Sequence, residues 1–173
     1  AVYIAAALAA ALLVFQVPLR TWQQVAPYLF VIGLCSLVVV LIPHIGREVK
    51  GARRWISFAG FQLQPSEFVK LAVVLYAADY TVRKAAFMHS FRKGFLPMLG
   101  VMFITGTLLL AEPDFGAFAV VAAISVAILF LGGLNLRLFS GMVLLLVTGF
   151  VLLIVFSPYR LKRILGFLNP WED

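Results

Sequence analysis

Residues 116–133, "GAFAVVAAISVAILFLGG", contain no ionisable side chain and a single hydroxyl group. Five further apolar blocks of similar length follow one another along a chain that is 64% hydrophobic, 12% charged and has a mean hydropathy of +1.07. A helix needs about 20 apolar residues to cross the hydrocarbon core of a bilayer. This composition excludes an ordinary soluble domain and predicts a polytopic integral membrane protein.

The apolar blocks are predicted to be helices. In lipid, backbone N–H and C=O groups must bond within a helix or around a closed barrel, and the blocks lack the period-two alternation of barrel strands. The fold class is therefore all-α, with one membrane domain over residues 1–173. The predicted spans are about 1–17, 25–43, 67–82, 95–111, 116–133 and 140–157. The chain opens on "AVYIAAALAA" and closes on "NPWED", which we interpret as the central part of a longer protein.

Charge counting does not orient these spans. One side of the membrane would carry six Lys and Arg residues, in loops 18–24, 83–94 and 134–139. The other would carry seven, in loop 44–66, the turn 112–116 and the segment from 159. The positive-inside rule needs a clear excess on one side. Six of the seven acids fall on the second side, and this mixture of charges predicts a functional site there.

Residues 64–70, "QPSEFVK", carry charge into the third span. Pro65 and Ser66 are typical of a helix start, with Ser66 as the N-cap, and Glu67 and Lys70 share one helix face because they are three residues apart. An ionisable group at mid-bilayer costs about 2.5–3.5 kcal/mol, so such groups are paired, snorkelling or functional. The spacing leaves two interpretations open: a capping acid beside a snorkelling lysine, or a binding site.

Residues 111–116, "AEPDFG", place Glu112 and Asp114 in a short turn that has no basic residue of its own. Two acids close to the lipid boundary require either solvent or a cationic partner. Lys70 and the arginines of loop 44–66 are predicted on the same side of the membrane. The turn is therefore either solvated or neutralised by those basic residues.

Residues 51–56, "GARRWI", combine Arg53, Arg54 and Trp55. Guanidinium groups match phosphate oxygens, and tryptophan favours the headgroup region. Adjacent side chains on an extended segment diverge, so the two arginines need not act alike. The motif fits an interfacial anchor or an anion site, to which the basic segment 159–163, "YRLKR", would contribute.

The remaining polar residues predict no complete catalytic group. Asp79 and Arg83, four residues apart at a helix end, predict a local ion pair. No Walker loop, zinc-ligand spacing, Ser/His/Asp arrangement or GxSxG elbow occurs in the sequence. Phosphate chemistry is compatible with a divalent cation, but no motif predicts a site for one, so no cofactor is assigned.

Several motifs in chain order resemble the SEDS family of membrane proteins, whose members FtsW and RodA build bacterial peptidoglycan. They are "GREVKGARRWI", "QPSEFVKLAVVLY", "EPDFGAFAVV", "LFLGG" and "SPYRLKRILGFLNPWED". The last is more similar to the division-type FtsW pattern, usually "FLDPWAD", than to RodA, with Asn169 in place of the usual Asp.

The resemblance implies a ten-span fold in the bacterial inner (cytoplasmic) membrane, with both termini cytoplasmic and these six spans as about the second to the seventh. Loop 44–66, the turn 112–116 and the segment 159–173 would then be extracytoplasmic, and loop 83–94 cytoplasmic. The active face would be the extracytoplasmic one.

The resemblance further implies polymerisation of lipid II, an undecaprenyl-pyrophosphate-linked disaccharide-peptide, into glycan strands for septal cell-wall synthesis. A class B penicillin-binding protein and other divisome proteins would be partners, and nucleic acid would not. Six residues match family positions that bind substrate or line the central cavity: Arg53, Arg54, Trp55, Glu67, Lys70 and Asp114. The family's catalytic aspartate would lie beyond Asp173, so residues 1–173 alone are expected to be inactive.

Two other functions remain open from the sequence. A lipid II transporter (flippase) would also place charge beside a membrane cavity, although the chain shows no paired broken helices in two halves. A non-enzymatic divisome scaffold would not require the charged pair Glu67 and Lys70.

Overall fold

The computed structural model describes residues 2–43, 45–49, 52–58 and 61–158. The described residues are mostly helical, which confirms the predicted class. The α-helices are α1 (Val2–Gln16), α2 (Leu19–Leu41), α3 (Pro65–Arg83), α4 (Leu96–Ala111), α5 (Phe115–Leu131) and α6 (Leu136–Val155). A short 3-10 helix (Ala85–Phe87) and a π-helical turn (Phe91–Phe95) connect α3 to α4.

The helices coincide with the predicted apolar blocks, except that α2 and α6 begin earlier, at Leu19 and Leu136. Hydropathy marks only the apolar part of a helix, whereas backbone hydrogen bonding continues through polar turns. Among the described residues, three segments are long and apolar enough to cross a membrane: Leu19–Leu41, Phe91–Ala111 and Leu136–Val155. The chain is a multi-pass membrane protein, and the count of six spans stays a prediction.

Loop 44–66 contains a small antiparallel sheet that was not predicted from the sequence. Its strands are β1 (Gly46–Val49), β2 (Ala52–Phe58) and β3 (Phe61–Leu63), in the order β1-β2-β3. The register pairs Arg47 with Trp55 and Glu48 with Arg53 and shifts between the two pairs, which leaves Arg54 as an extra residue of β2. Such a β-bulge bends the strand and re-aims the side chain.

A buried core joins α2, α3, α4 and α5. Its members are apolar and nearly inaccessible: Phe30, Leu37, Val69, Val73, Leu109, Ala117 and Val121. Phe30 stacks on Tyr76 with ring centroids 4.6 Å apart, and a side chain at Gly33 would lie 3.1 Å from Val69 Cγ2. Because lipid is as apolar as these side chains, close packing rather than water exclusion holds such helices together. This packing brings the start of α3 to the turn between α4 and α5.

Helix α6 belongs to a second compact unit, which begins at Asn135. The Asn135 side chain caps the helix by accepting a hydrogen bond of 2.9 Å from the backbone N–H of Arg137. The segment 159–173, including "YRLKR", lies outside the described residues. The predictions made for that segment therefore stay predictions.

Candidate functional site

Asp114 is the centre of a buried polar network. It caps α5, with Oδ1 accepting from the backbone N–H of Ala117 at 3.2 Å. Its Oδ2 accepts from Ser66 Oγ at 2.9 Å and from Gln64 Nε2 at 3.0 Å. The residue is 6% exposed. Asp114 thus connects the start of α3 to the start of α5, and these donors offset the cost of burying its carboxylate.

The prediction that Ser66 caps α3 is wrong. The helix begins at Pro65, and Gln64 occupies the cap position without a side-chain cap bond. Pro65 has no N–H to satisfy, which lowers the need for a cap. The buried Ser66 hydroxyl instead donates to Asp114 and accepts from Gln64 Nε2 at 2.9 Å. Gln64 and Ser66 are therefore site residues that the sequence analysis missed, although two polar residues at the start of a membrane helix were a usable signal.

Arg54 supplies the positive charge of this network. Its Nε donates to the carbonyl of Glu112 at 3.2 Å, its Nη2 donates to the carbonyl of Pro113, and its Nη1 lies 3.9 Å from Asp114 Oδ1. The turn between α4 and α5 is therefore not a solvated turn. It is neutralised by an arginine of loop 44–66, as the second of the two interpretations predicted.

Glu112 is fully buried, and neither of its carboxylate oxygens has a hydrogen-bond partner among the described residues. Burial, and to a lesser degree the neighbouring Asp114, raises the pKa of Glu112 to about 8, while Arg54 opposes the shift. A carboxyl group with that pKa is mostly protonated at pH 7. Glu112 therefore contributes little negative charge to the turn at neutral pH, although the sequence places two acids there.

Glu67 and Lys70 form a separate ion pair on α3. Lys70 Nζ lies 2.8 Å from Glu67 Oε1, and the Glu67 side chain is 62% exposed. The shared helix face predicted from their spacing is confirmed. The Glu67 side chain is exposed and that of Lys70 is partly exposed, in contrast to the buried carboxylate of Asp114.

Arg53 and Trp55 lie on β2, on either side of the bulge residue Arg54. Arg53 is exposed and Trp55 is half-buried. The two arginines therefore have different surroundings, consistent with the expectation that they need not act alike.

The pair Asp79 and Arg83 lies at the other end of α3 from Glu67. Arg83 Nε donates to Asp79 Oδ2 at 2.6 Å, so the predicted local ion pair is confirmed. Within the described ranges, no group of three or more His, Cys, Asp or Glu side chains could hold a metal ion.

These features define a class of protein: a multi-pass, all-α membrane protein in which an arginine of a small sheet contacts the turn between two helices, and the acid of that turn is bonded to the start of a third helix. The chain belongs to the FtsW/RodA/SpoVE family, described as "Cell cycle protein", whose family model matches residues 1–173. The family implied by the sequence motifs is thereby confirmed.

Similar proteins of known name agree with this assignment. The chain is 56% identical over its full length to a probable peptidoglycan glycosyltransferase FtsW of Aromatoleum aromaticum, and it covers 42% of that protein. It is 54% identical over 96% of its length to a protein of the same name from Burkholderia thailandensis, of which it covers 36%. The chain therefore spans less than half the length of these relatives.

Two solved structures share the fold. One comes from work on the structural coordination of polymerization and crosslinking by a peptidoglycan synthase complex, with a TM-score of 0.75 and 27% identity. That match covers 99% of this chain and 50% of the other. The crystal structure of the rod shape determining protein RodA of Thermus thermophilus has a TM-score of 0.64 and 28% identity, covering 78% of this chain and 42% of RodA.

Proposed function

We propose that the full-length protein is a peptidoglycan glycosyltransferase that polymerises lipid II into glycan strands during septal cell-wall synthesis. The observation that carries the proposal is the accessible charge of Arg53, Glu67 and Lys70 beside the buried network of Asp114. The names of the relatives support the same activity, since the chain is 56% identical to a probable peptidoglycan glycosyltransferase FtsW.

The reaction needs positive charge at its leaving group. An acceptor sugar hydroxyl forms a new C–O bond at the anomeric carbon of the donor, and the bond from that carbon to the lipid pyrophosphate breaks. The departing pyrophosphate takes the bonding electron pair, so nearby cations stabilise the transition state. We assign Arg53 and Lys70 to this part of the site, with Arg54 beside them in the network of Asp114 and Trp55 shaping the adjacent cavity.

The reaction also needs a general base for the acceptor hydroxyl. Asp114 does not suit that role, because Ala117, Ser66 and Gln64 already donate hydrogen bonds to its carboxylate. We assign Asp114 to the charge network that orients substrate, together with Glu67 and Lys70. The base is expected in the part of the protein that follows Asp173.

The site would face the extracytoplasmic side of the bacterial inner membrane, where the sugar-peptide end of lipid II is polymerised. A class B penicillin-binding protein would crosslink the product as a partner. The likeness to a chain from work on polymerization and crosslinking by a peptidoglycan synthase complex supports such a partnership. Other divisome proteins would bind the same assembly.

The test uses the purified full-length protein with its class B penicillin-binding protein, lipid II, and a β-lactam that blocks transpeptidation. Glycan polymer is the expected product, and a folded complex that makes none would contradict the proposal. A transporter would instead move labelled lipid II across vesicles without polymer. A scaffold would do neither. Arg20→Gln, in the first turn of α2 and predicted on the opposite side of the membrane, serves as a charge-matched control that retains activity.

A further inference from the structure

We propose that Arg54 is a positioning residue, whose guanidinium fastens β2 to the turn between α4 and α5 and orients Asp114. Arg53 is then the arginine that meets the pyrophosphate. The role of Arg53 rests on the proposed function, whereas the role of Arg54 follows from contacts within the chain and is testable without substrate.

The backbone gives Arg54 a position that its neighbours on β2 do not share. It is the extra residue at the bulge, so no residue of β1 stands opposite to it. A bulge turns one side chain away from the regular alternation of the strand. The Arg54 side chain reaches the carbonyls of Glu112 and Pro113, which are 58 and 59 residues further along the chain.

The Nε–Nη2 edge of the Arg54 guanidinium is used by the turn. Nε and Nη2 donate to two successive carbonyls, and Nη1 lies 3.9 Å from Asp114 Oδ1. A bidentate grip on a phosphate needs two adjacent N–H groups of the same planar fork. Arg54 would have to give up its two carbonyl contacts to hold a phosphate by the Nε–Nη2 edge. The side chain of Arg53 is exposed.

The contacts of Arg54 continue through Asp114 to helix α3. The carboxylate that faces Arg54 also accepts hydrogen bonds from Gln64 and Ser66 at the start of that helix. The next residue, Glu67, begins the accessible ion pair with Lys70. Arg54 therefore fixes the position of β2, and with it Arg53, relative to the helix that carries Glu67 and Lys70.

Lysine cannot replace this function. A single ammonium group is a point charge on a flexible stem, and it does not bridge two carbonyls and a carboxylate in one plane. Arg54→Lys keeps the positive charge and removes the planar fork. A residue that attracts the substrate only by its charge would tolerate this change, and a positioning residue would not.

The experiment compares Arg53→Gln, Arg54→Gln and Arg54→Lys in the full-length protein with its partner, with Arg20→Gln as the control. The first measurement is thermal unfolding of the purified protein. The second is the KM for lipid II at about 50 mM and about 300 mM salt, since salt screens an exposed charge that meets an anion. The third is kcat at saturating lipid II.

For Arg53→Gln we expect the KM to rise about tenfold or more, the salt dependence of KM to flatten, and the Tm to stay unchanged, because a charge-assisted bond to substrate is lost. For Arg54→Gln and Arg54→Lys we expect a lower Tm and a lower kcat, with the salt dependence of KM retained. If Arg54→Gln instead flattened the salt dependence at an unchanged Tm, Arg54 would contact the anion and the proposal would fail.

A double-mutant cycle on Tm separates this proposal from the proposed function. Arg54→Gln and Asp114→Asn are expected to be non-additive, because each removes the same contact. If Arg54→Gln alone does not fold, the measurement is whether the double variant folds. The double variant is expected to fold, because it leaves no buried carboxylate without its cation. Additive losses would overturn the positioning role. Absence of polymer from the wild-type protein would overturn only the proposed function and the role of Arg53.

Discussion

The Ser66 hydroxyl donates a hydrogen bond of 2.9 Å to Asp114 Oδ2, across 48 residues of sequence. Both residues are buried, and the bond connects the first turn of α3 to the cap of α5. It lies next to the ion pair of Glu67 and Lys70 along α3. The substrate-binding arrangement that we propose thus depends on a neutral hydroxyl as well as on the charged residues.

Removal of that hydroxyl is expected to destabilise the protein. Ser66→Ala takes one donor from a buried carboxylate, and bonds to charged groups contribute about 1.5–3 kcal/mol. The measurement is thermal or denaturant-induced unfolding in detergent. Ser140→Ala is the matched control, because the Ser140 hydroxyl bonds to its own helix at an exposed position and its loss should change stability by less than about 0.5 kcal/mol. Equal effects of the two changes would contradict the role of Ser66.

Stability is expected to fall as pH rises through the titration of Glu112. Its pKa is about 8 in the folded protein against an ordinary value of 4.5. Between those two values the folded state holds the proton that the unfolded state has released, so rising pH favours unfolding. The loss is complete above about pH 8. The charged groups that set this pKa besides burial are Asp114, which raises it, and Arg54, which lowers it.

The measurement is Tm as a function of pH for the wild-type protein and for Glu112→Gln, which resembles the protonated acid and does not titrate. The variant is expected to show a flatter profile between these two pKa values. Glu67→Gln, which removes an exposed carboxylate in α3, is the control and should keep the wild-type slope. A wild-type slope in Glu112→Gln would show that another group titrates.

The packing of α4 against α5 should not tolerate a side chain at Gly106. A Cβ atom there would lie 2.7 Å from the Phe118 ring, whereas a Cβ atom at Gly100 of the same helix would meet nothing within 4 Å. Overpacking of this kind costs about 1–3 kcal/mol. Gly106→Ala is therefore expected to lower the Tm, and Gly100→Ala is expected to leave it unchanged. Phe118→Leu should partly restore Gly106→Ala, and no restoration would contradict this packing.

The two ion pairs of α3 are expected to differ in function. Lys70→Gln removes a cation that we assign to the substrate site and should lower kcat/KM for lipid II polymerisation more than tenfold, the effect of about 1.4 kcal/mol. Arg83→Gln breaks the pair at the other end of the helix, 2.6 Å between Arg83 Nε and Asp79 Oδ2. Because Asp79 is buried, this change is expected to lower the Tm, but it should leave the activity of the folded protein within about twofold. Folded content is compared by size-exclusion chromatography. Equal activities of the two variants would remove Lys70 from the site.

Contacts within one or two helical turns could be predicted from the sequence. The apolar blocks predicted the helices, because lipid leaves few ways to satisfy a backbone. The spacings of Glu67 with Lys70 and of Asp79 with Arg83 predicted which side chains share a helix face, and both pairs are within hydrogen-bond distance in the structure. The family was evident from motifs whose order and spacing match along the whole chain.

Contacts between distant segments were decided only by the tertiary structure. No spacing rule relates Arg54 to Glu112, Ser66 to Asp114, or β1 to the bulge in β2, because their distances depend on how the helices and the sheet pack. The burial of Glu112 was also decided by the tertiary structure. An acid in a polar turn is normally solvated, and here the residues packed around Glu112 exclude the water. Residue types and local periodicity therefore determined the helices and the candidate residues, and packing determined which of those residues act on one another.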